Sequence, residues 1–220
     1  MSKSLLIVES VNDQYFIEGL IEYLKLNVKV GSPICNIDDY ECLGGLGNLS
    51  SRLKDLKKEI GSKGLKRVGI LIDADRDGIE NRINLINGAM KEICSDVSFT
   101  RINELKHSQE LDVDFICYII NVNGYGELET LLKTIKSEDS TFADCLESWR
   151  ECVKNFRKEI KDKEFNKFWI QIYFRYDCCT EEEKKRAGKN CNNENSLKKK
   201  IWNFEDSALD GLKEFLKLLA

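Results

Sequence analysis

The chain predicts an α/β fold: an open, mainly parallel sheet with helices on both faces, followed by a mostly helical C-terminal extension. Three observations carry this. Short apolar runs alternate with helical periodicity over residues 4–94, two of those runs (4–9 and 67–73) end in acids, and the alternation stops after residue 135.

Taken in order, residues 4–9 read as a strand and 12–26 as a helix, with Asn12 or Asp13 as its cap. Phe16, Leu20, Tyr23 and Leu24 recur at helical spacing and face the core. Residues 27–37 read as a strand and 46–60 as a helix, preceded by Gly44-Gly45-Leu46-Gly47-Asn48-Leu49. That glycine-rich turn invites a dinucleotide reading. The fingerprint belongs in the first strand-to-helix turn, however, which here is Glu9-Ser10-Val11-Asn12, so only a backbone-amide cradle for phosphate stays open.

A strand at 67–73 and a helix at 79–94 follow, then strands at 98–102 and 115–121 separated by a charged connection, which makes five strands. Beyond them, 142–160 reads as a helix and 165–176 as an aromatic segment. Phe168, Trp169, Tyr173, Phe174 and Tyr176 could stack bases, although aromatics at this density more often build a core. Residues 202–220 carry Leu209, Leu212, Phe215, Leu216 and Leu219 on one helical face that docks on the sheet. The expected division is a metal-binding domain at 1–135 and a helical, aromatic extension at 136–220 packed on it.

At 220 residues, 42% hydrophobic and 33% charged, the chain is long enough for one sizeable core and is not disordered throughout. No apolar stretch approaches the roughly 20 residues of a membrane span, and Met1-Ser2-Lys3 leads straight into a strand, so a cytoplasmic protein without membrane attachment is expected. The nine cysteines form no Cys-x-x-Cys pair and there is one histidine, His107, in a polar stretch. A zinc cluster is therefore not expected, and most thiols read as reduced and structural, with Cys178, Cys179 and Cys191 the one group suited to a soft metal or to oxidation.

The chemistry concentrates in Asp73-Ala74-Asp75-Arg76-Asp77-Gly78, directly after Val68-Gly69-Ile70-Leu71-Ile72. Strand alternation aims Asp73 and Asp75 the same way. Two carboxylates about 4 Å apart repel by roughly 4 kcal/mol at an effective dielectric near 20, and a divalent cation with oxygen ligands is the usual relief. The run therefore reads as a Mg²⁺ or Mn²⁺ site, with Asp77 as an outer ligand and Arg76 placed to touch a phosphate or to neutralise its neighbours. If residues 4–9 form a neighbouring parallel strand, Glu9 emerges at the same carboxyl edge, where open α/β sheets bind ligands.

With Ile7-Val8-Glu9-Ser10 and Leu71-Ile72-Asp73-Ala74-Asp75 in this order, the sequence resembles the Toprim family, the metal-dependent domain of topoisomerases, bacterial primases and overcoming-lysogenization-defect (OLD) nucleases. The resemblance covers roughly residues 1–135. It implies a Toprim-like fold, Mg²⁺ or Mn²⁺ on Glu9, Asp73 and Asp75, and a further acid from Asn121-Val122-Asn123-Gly124-Tyr125-Gly126-Glu127-Leu128-Glu129, with Glu129 ahead of Glu127. An acid in a helix's first turn is also favoured by the helix dipole alone. The chain has no room for a topoisomerase's tyrosine-bearing domains or a primase's zinc module. A phosphodiester-cleaving nuclease acting on DNA or RNA is the expected activity, with a role in phage defence and a protein partner such as an ATPase as further implications. The alternative is a non-catalytic module that binds nucleotide or metal and signals to a partner protein. A phosphoacceptor receiver domain would need an acid pair after the first strand, where only Glu9 stands.

The net charge of −4 argues against nonspecific nucleic-acid binding. Lys184, Lys185, Arg186, Lys189, Lys198, Lys199 and Lys200 nevertheless lie in a stretch opposed only by Glu194, so Lys198, Lys199 and Lys200 are candidate backbone contacts beside Arg76, against the plainer reading of a solvated loop.

Overall fold

The strands β1 (Ser4–Val8), β2 (Lys29–Val30), β3 (Arg67–Asp73), β4 (Lys106–Ser108) and β5 (Val113–Ile120) form one sheet in the order β2-β1-β3-β5-β4. All pairings are parallel except that of β4 with β5. The computed structural model describes residues 3–35 and 45–220.

Alternation along the central strands sends side chains to two cores. Leu5, Ile7, Val68, Ile70 and Ile72 pack under α2 (Leu49–Lys63) and α3 (Gly78–Met90), through Leu53, Leu56, Ile83 and Ile86. Leu6, Val8, Leu71, Ile116 and Ile120 face the other way, under α1 (Val11–Leu24), α4 (Leu128–Ile135), α6 (Asp162–Ile172) and α10 (Asp210–Leu219). The predicted α/β sheet with helices on both faces is thus the observed architecture, with a helical C-terminal region.

Docking of α10 depends on a glycine. A Cβ at Gly69 of β3 would lie 2.7 Å from Leu219 Cδ2 and 2.9 Å from Leu6 Cδ1, so only a residue without a side chain lets the helix approach this closely. Leu212, Phe215, Leu216 and Leu219 are buried there, as the helical face predicts, although the helix starts at Asp210 and not near 202. Because these residues share one core with β1, β3 and β5, the region after 136 completes a face of the sheet.

Several expected elements differ. Residues 98–102 form no strand: Asn87 of α3 donates to the Phe99 carbonyl and accepts from its N–H, both at 2.8 Å, which takes the backbone groups a strand partner would need. The antiparallel β4 lies within what reads as the charged connection. The strand expected at 27–37 reduces to Lys29–Val30, with residues 36–37 and Gly44 of the glycine-rich turn outside the described residues. The helix expected at 142–160 is α5 (Thr141–Lys154), and Arg157 follows with φ 57°. Trp169, Tyr173 and Phe174 are buried, the first two stacked at 5.2 Å, so these aromatics are core; Phe168 and Tyr176 are exposed. The charged stretch folds as the short helices α7 (Glu181–Lys184), α8 (Ala187–Asn190) and α9 (Asn193–Lys198), the last packed on α1. Among the described residues no helix is long and apolar enough to cross a membrane.

Candidate functional site

The parallel pairing of β1 and β3 delivers Glu9 and Asp73 to one carboxyl edge, where the backbone N–H of Asp73 donates to Glu9 Oε2 at 3.0 Å. Asp73 Oδ1 in turn accepts from the N–H of Leu128 at 3.2 Å, the first residue of α4, where the helix dipole favours an anion. Glu129 is in the same first turn and is buried.

A fourth acid arrives from α1. The cap of that helix is Ser10, not Asn12 or Asp13: Ser10 Oγ accepts from the N–H of Asp13, and Asp13 Oδ2 accepts from Ser10 N–H at 2.8 Å and Ser10 Oγ at 2.7 Å. This reciprocal box fixes Asp13 beside the sheet edge, 2% exposed. Its Oδ1 is buried with no hydrogen-bond partner.

Crowding and burial act together on these groups. Burial lifts the Asp73 carboxyl well above its ordinary range, with repulsion from Asp13, Glu9, Glu129 and Asp75 adding to it. Asp13 is pushed up to about 7, chiefly by burial and then by Glu9, against the Ser10 hydrogen bonds. Glu9 is raised by burial despite the Asp73 N–H, and Glu129 is raised by burial despite Lys167.

Asp75 is placed by a turn, not by strand alternation. β3 ends at Asp73, and Asp75 adopts φ 48°, held by an antiparallel bridge in which its N–H and carbonyl pair with Gly126 at 2.8 and 2.9 Å. Two cations take its carboxylate: Arg82 Nη2 at 2.5 Å from Oδ2 and Lys163 Nζ at 2.7 Å from Oδ1. Burial alone would lower the Lys163 ammonium, but Asp75, with Asp73 and Glu9 behind it, raises it. Asp77 is an exposed partner of Arg82 at 3.2 Å, and Arg76, next to Asp75 in sequence, is exposed with its charge felt at Asp162. Glu127 is engaged by Asn166 at 2.9 Å and Thr130 at 3.0 Å, which leaves Glu129 as the acid of that segment that faces the cluster.

Glu9, Asp13, Asp73 and Glu129 therefore converge, with Asp75 at their margin under two cations. Among the described residues, the group of three ligand atoms all within 4.8 Å of one another is Cys179, Glu183 and Cys191, so no three of the edge acids meet that closely. The partnerless, buried Asp13 Oδ1 is the feature a hydrated cation would satisfy.

Sequence reading missed Asp13, Arg82 and Lys163. Ser10-x-x-Asp13 is legible as a capping box, a helix signal and not a site signal. Lys163 lies 88 residues from Asp75 and has no local signature.

The basic stretch does not present free cations throughout. Lys198 pairs with Glu18 at 2.8 Å and Glu194 at 3.3 Å, Lys199 pairs with Glu183, Lys184 pairs with Glu181, and Lys200 is exposed. Of the expected thiols, Cys94, Cys117, Cys145, Cys152 and Cys178 are free, whereas Cys179 and Cys191 are joined as a disulfide. His107 is a surface residue that meets Asp114 at 2.8 Å.

Among known protein families, the chain matches over residues 3–220 the one described as "Protein of unknown function (DUF3226)". No curated protein and no solved structure matches it.

Proposed function

We propose that this chain, which belongs to the DUF3226 family, is a Toprim-like nuclease that cleaves phosphodiester bonds of nucleic acid with Mg²⁺ or Mn²⁺. The observation that carries the reading is the convergence of Glu9, Asp13 and Asp73 at one sheet edge, with a buried Asp13 oxygen that no protein group satisfies. Four crowded carboxylates serve poorly as packing and well as a cation seat.

Asp73 and Asp13 would hold the ion, with Glu129 behind them and Asp75 joining once Lys163 or Arg82 gives way. When bound, the cation supplies Lewis-acid charge at a phosphoryl oxygen. Glu9 Oε2 is oriented by the Asp73 N–H, and burial raises its carboxyl above the ordinary range, so Glu9 would be the group to take a proton from water and return it to a leaving oxygen. Lys163 and Arg82, which pair with Asp75, would be the positive groups offered to a phosphate. Cytoplasmic location, a role in phage defence and an ATPase partner belong to the same proposal.

A second reading rests on the Asp75 pairs. If Lys163 and Arg82 stay on that carboxylate, Asp75 is withheld from the ion and the edge is a module that reports metal or nucleotide to a partner protein without catalysis. Incubation of the purified chain with labelled single-stranded DNA, duplex DNA and RNA, with Mg²⁺ or Mn²⁺ and with chelator, separates the two. Metal-dependent products support the nuclease; intact substrates throughout support the module.

A further inference from the structure

Beside the acid edge, α4, α6 and α9, with Asn12 of α1, line an open cleft of about 150 Å³. Its apolar wall includes Leu128, Leu132, Phe174 and Leu197, all buried. A cavity of about this volume accommodates one benzene-sized ring, and two fused rings exceed it.

Its polar edge is ordered. Gln171 Nε2 donates to Asn193 Oδ1 at 2.8 Å, and Asn193 Nδ2 donates to Asn12 Oδ1 at 3.1 Å, which leaves the amide nitrogen of Asn12 as its donor. Lys167 adds a second donor, and Glu129, 7% exposed, supplies the acceptor. Glu129 also belongs to the acid cluster, so the cavity adjoins the place proposed for the scissile phosphate.

From this geometry we infer that the cavity is a base pocket for a single-ring base bearing an exocyclic amino group, as in cytosine, from an unstacked nucleotide whose phosphate lies at the acid edge. A carboxylate accepts from the cytosine amino group, while Asn12 and Lys167 donate to its ring nitrogen and carbonyl. Thymine or uracil would set a carbonyl oxygen against Glu129. A base must leave its stack to enter a pocket between helices, so the substrate is single-stranded or locally unpaired. The inference rests on the nucleic-acid reading above and names the substrate class of that site.

The test measures binding and cleavage separately. Fluorescein-labelled oligodeoxycytidine and oligothymidine are titrated with the whole chain by anisotropy in Ca²⁺, and the same strands are incubated in Mg²⁺ or Mn²⁺ for products. The wild type is expected to bind oligodeoxycytidine roughly tenfold more tightly. Glu129→Gln, whose amide can donate to a carbonyl, is expected to remove or invert that ratio, an effect that loss of a cation ligand alone would not produce. Leu132→Trp, which fills the cavity, is expected to weaken both strands to one level, and its circular dichroism reports whether it folds. Equal wild-type affinities, no binding to either strand, or an unchanged ratio in Glu129→Gln overturns the pocket. Selective binding without products supports the pocket while overturning the nuclease, and products without selectivity do the reverse.

Discussion

The backbone N–H of Asp73 donates to Glu9 Oε2 at 3.0 Å, so the acid that ends β3 positions the acid that follows β1. Glutamine at position 9 keeps an acceptor for that bond and loses the charge and the proton-accepting capacity. Glu9→Gln is therefore expected to lower metal-dependent cleavage by roughly 10²-fold or more while its melting temperature stays at or above that of the wild type. Kinetics and thermal unfolding on one preparation check both halves.

Asp13 sets a pH dependence. Its carboxyl holds a proton more tightly when folded, to about 7, than its ordinary value of 3.8. The resulting stabilisation is complete below 3.8 and is lost as pH climbs through about 7. In chelator, the wild type is expected to lose stability relative to Asp13→Asn across that window, because asparagine keeps the Ser10 acceptor without the charge. Mg²⁺ is expected to offset the loss above neutrality by taking the proton's place. Parallel stability-pH curves for the two proteins would show that Asp13 is not the group responsible.

Removing Lys163 tests whether its pair with Asp75 is a genuine coupling. A double-mutant cycle of Lys163→Met and Asp75→Asn is expected to give an interaction energy of roughly 1 kcal/mol, as befits a half-exposed pair. Additive effects in denaturant unfolding would mean that the contact contributes nothing.

At Gly69, a methyl group would meet Leu219 and Leu6 well inside contact distance. Gly69→Ala is expected to cost roughly 1–3 kcal/mol, and trimming Leu219 to alanine in the same chain to recover part of it. Urea denaturation of the single and double variants reads this directly.

For the basic stretch, neutralising Lys198, Lys199 and Lys200 together is expected to reduce the salt slope of nucleic-acid binding by at most about one unit, from the exposed Lys200. Lys198 and Lys199 already meet Glu18, Glu194 and Glu183. A drop of about three units would show that those pairs open for substrate.

The parallel sheet was legible because uniformly apolar runs and helical periods are local signals, and the acids that end two such runs marked the edge. What escaped was set by partners distant in sequence. Asn87 diverts Phe99 from a strand, Arg82 and Lys163 seize Asp75, and Glu18 and Glu183 claim lysines that look free when the stretch is read alone. Asp13 was visible only as a candidate cap, since its place beside Glu9 and Asp73 depends on how α1 packs on the sheet.

A catalytic divalent cation at the acid edge is tested by counting bound Mn²⁺ by electron paramagnetic resonance and measuring strand cleavage in the same samples of wild type, Glu9→Gln and Asp73→Asn. Mn²⁺ bound and strands cut are expected for the wild type, Mn²⁺ bound with little cutting for Glu9→Gln, and neither for a folded Asp73→Asn. Cleavage by Asp73→Asn at the wild-type rate, or a wild type that binds no Mn²⁺, would contradict a catalytic cation at that edge.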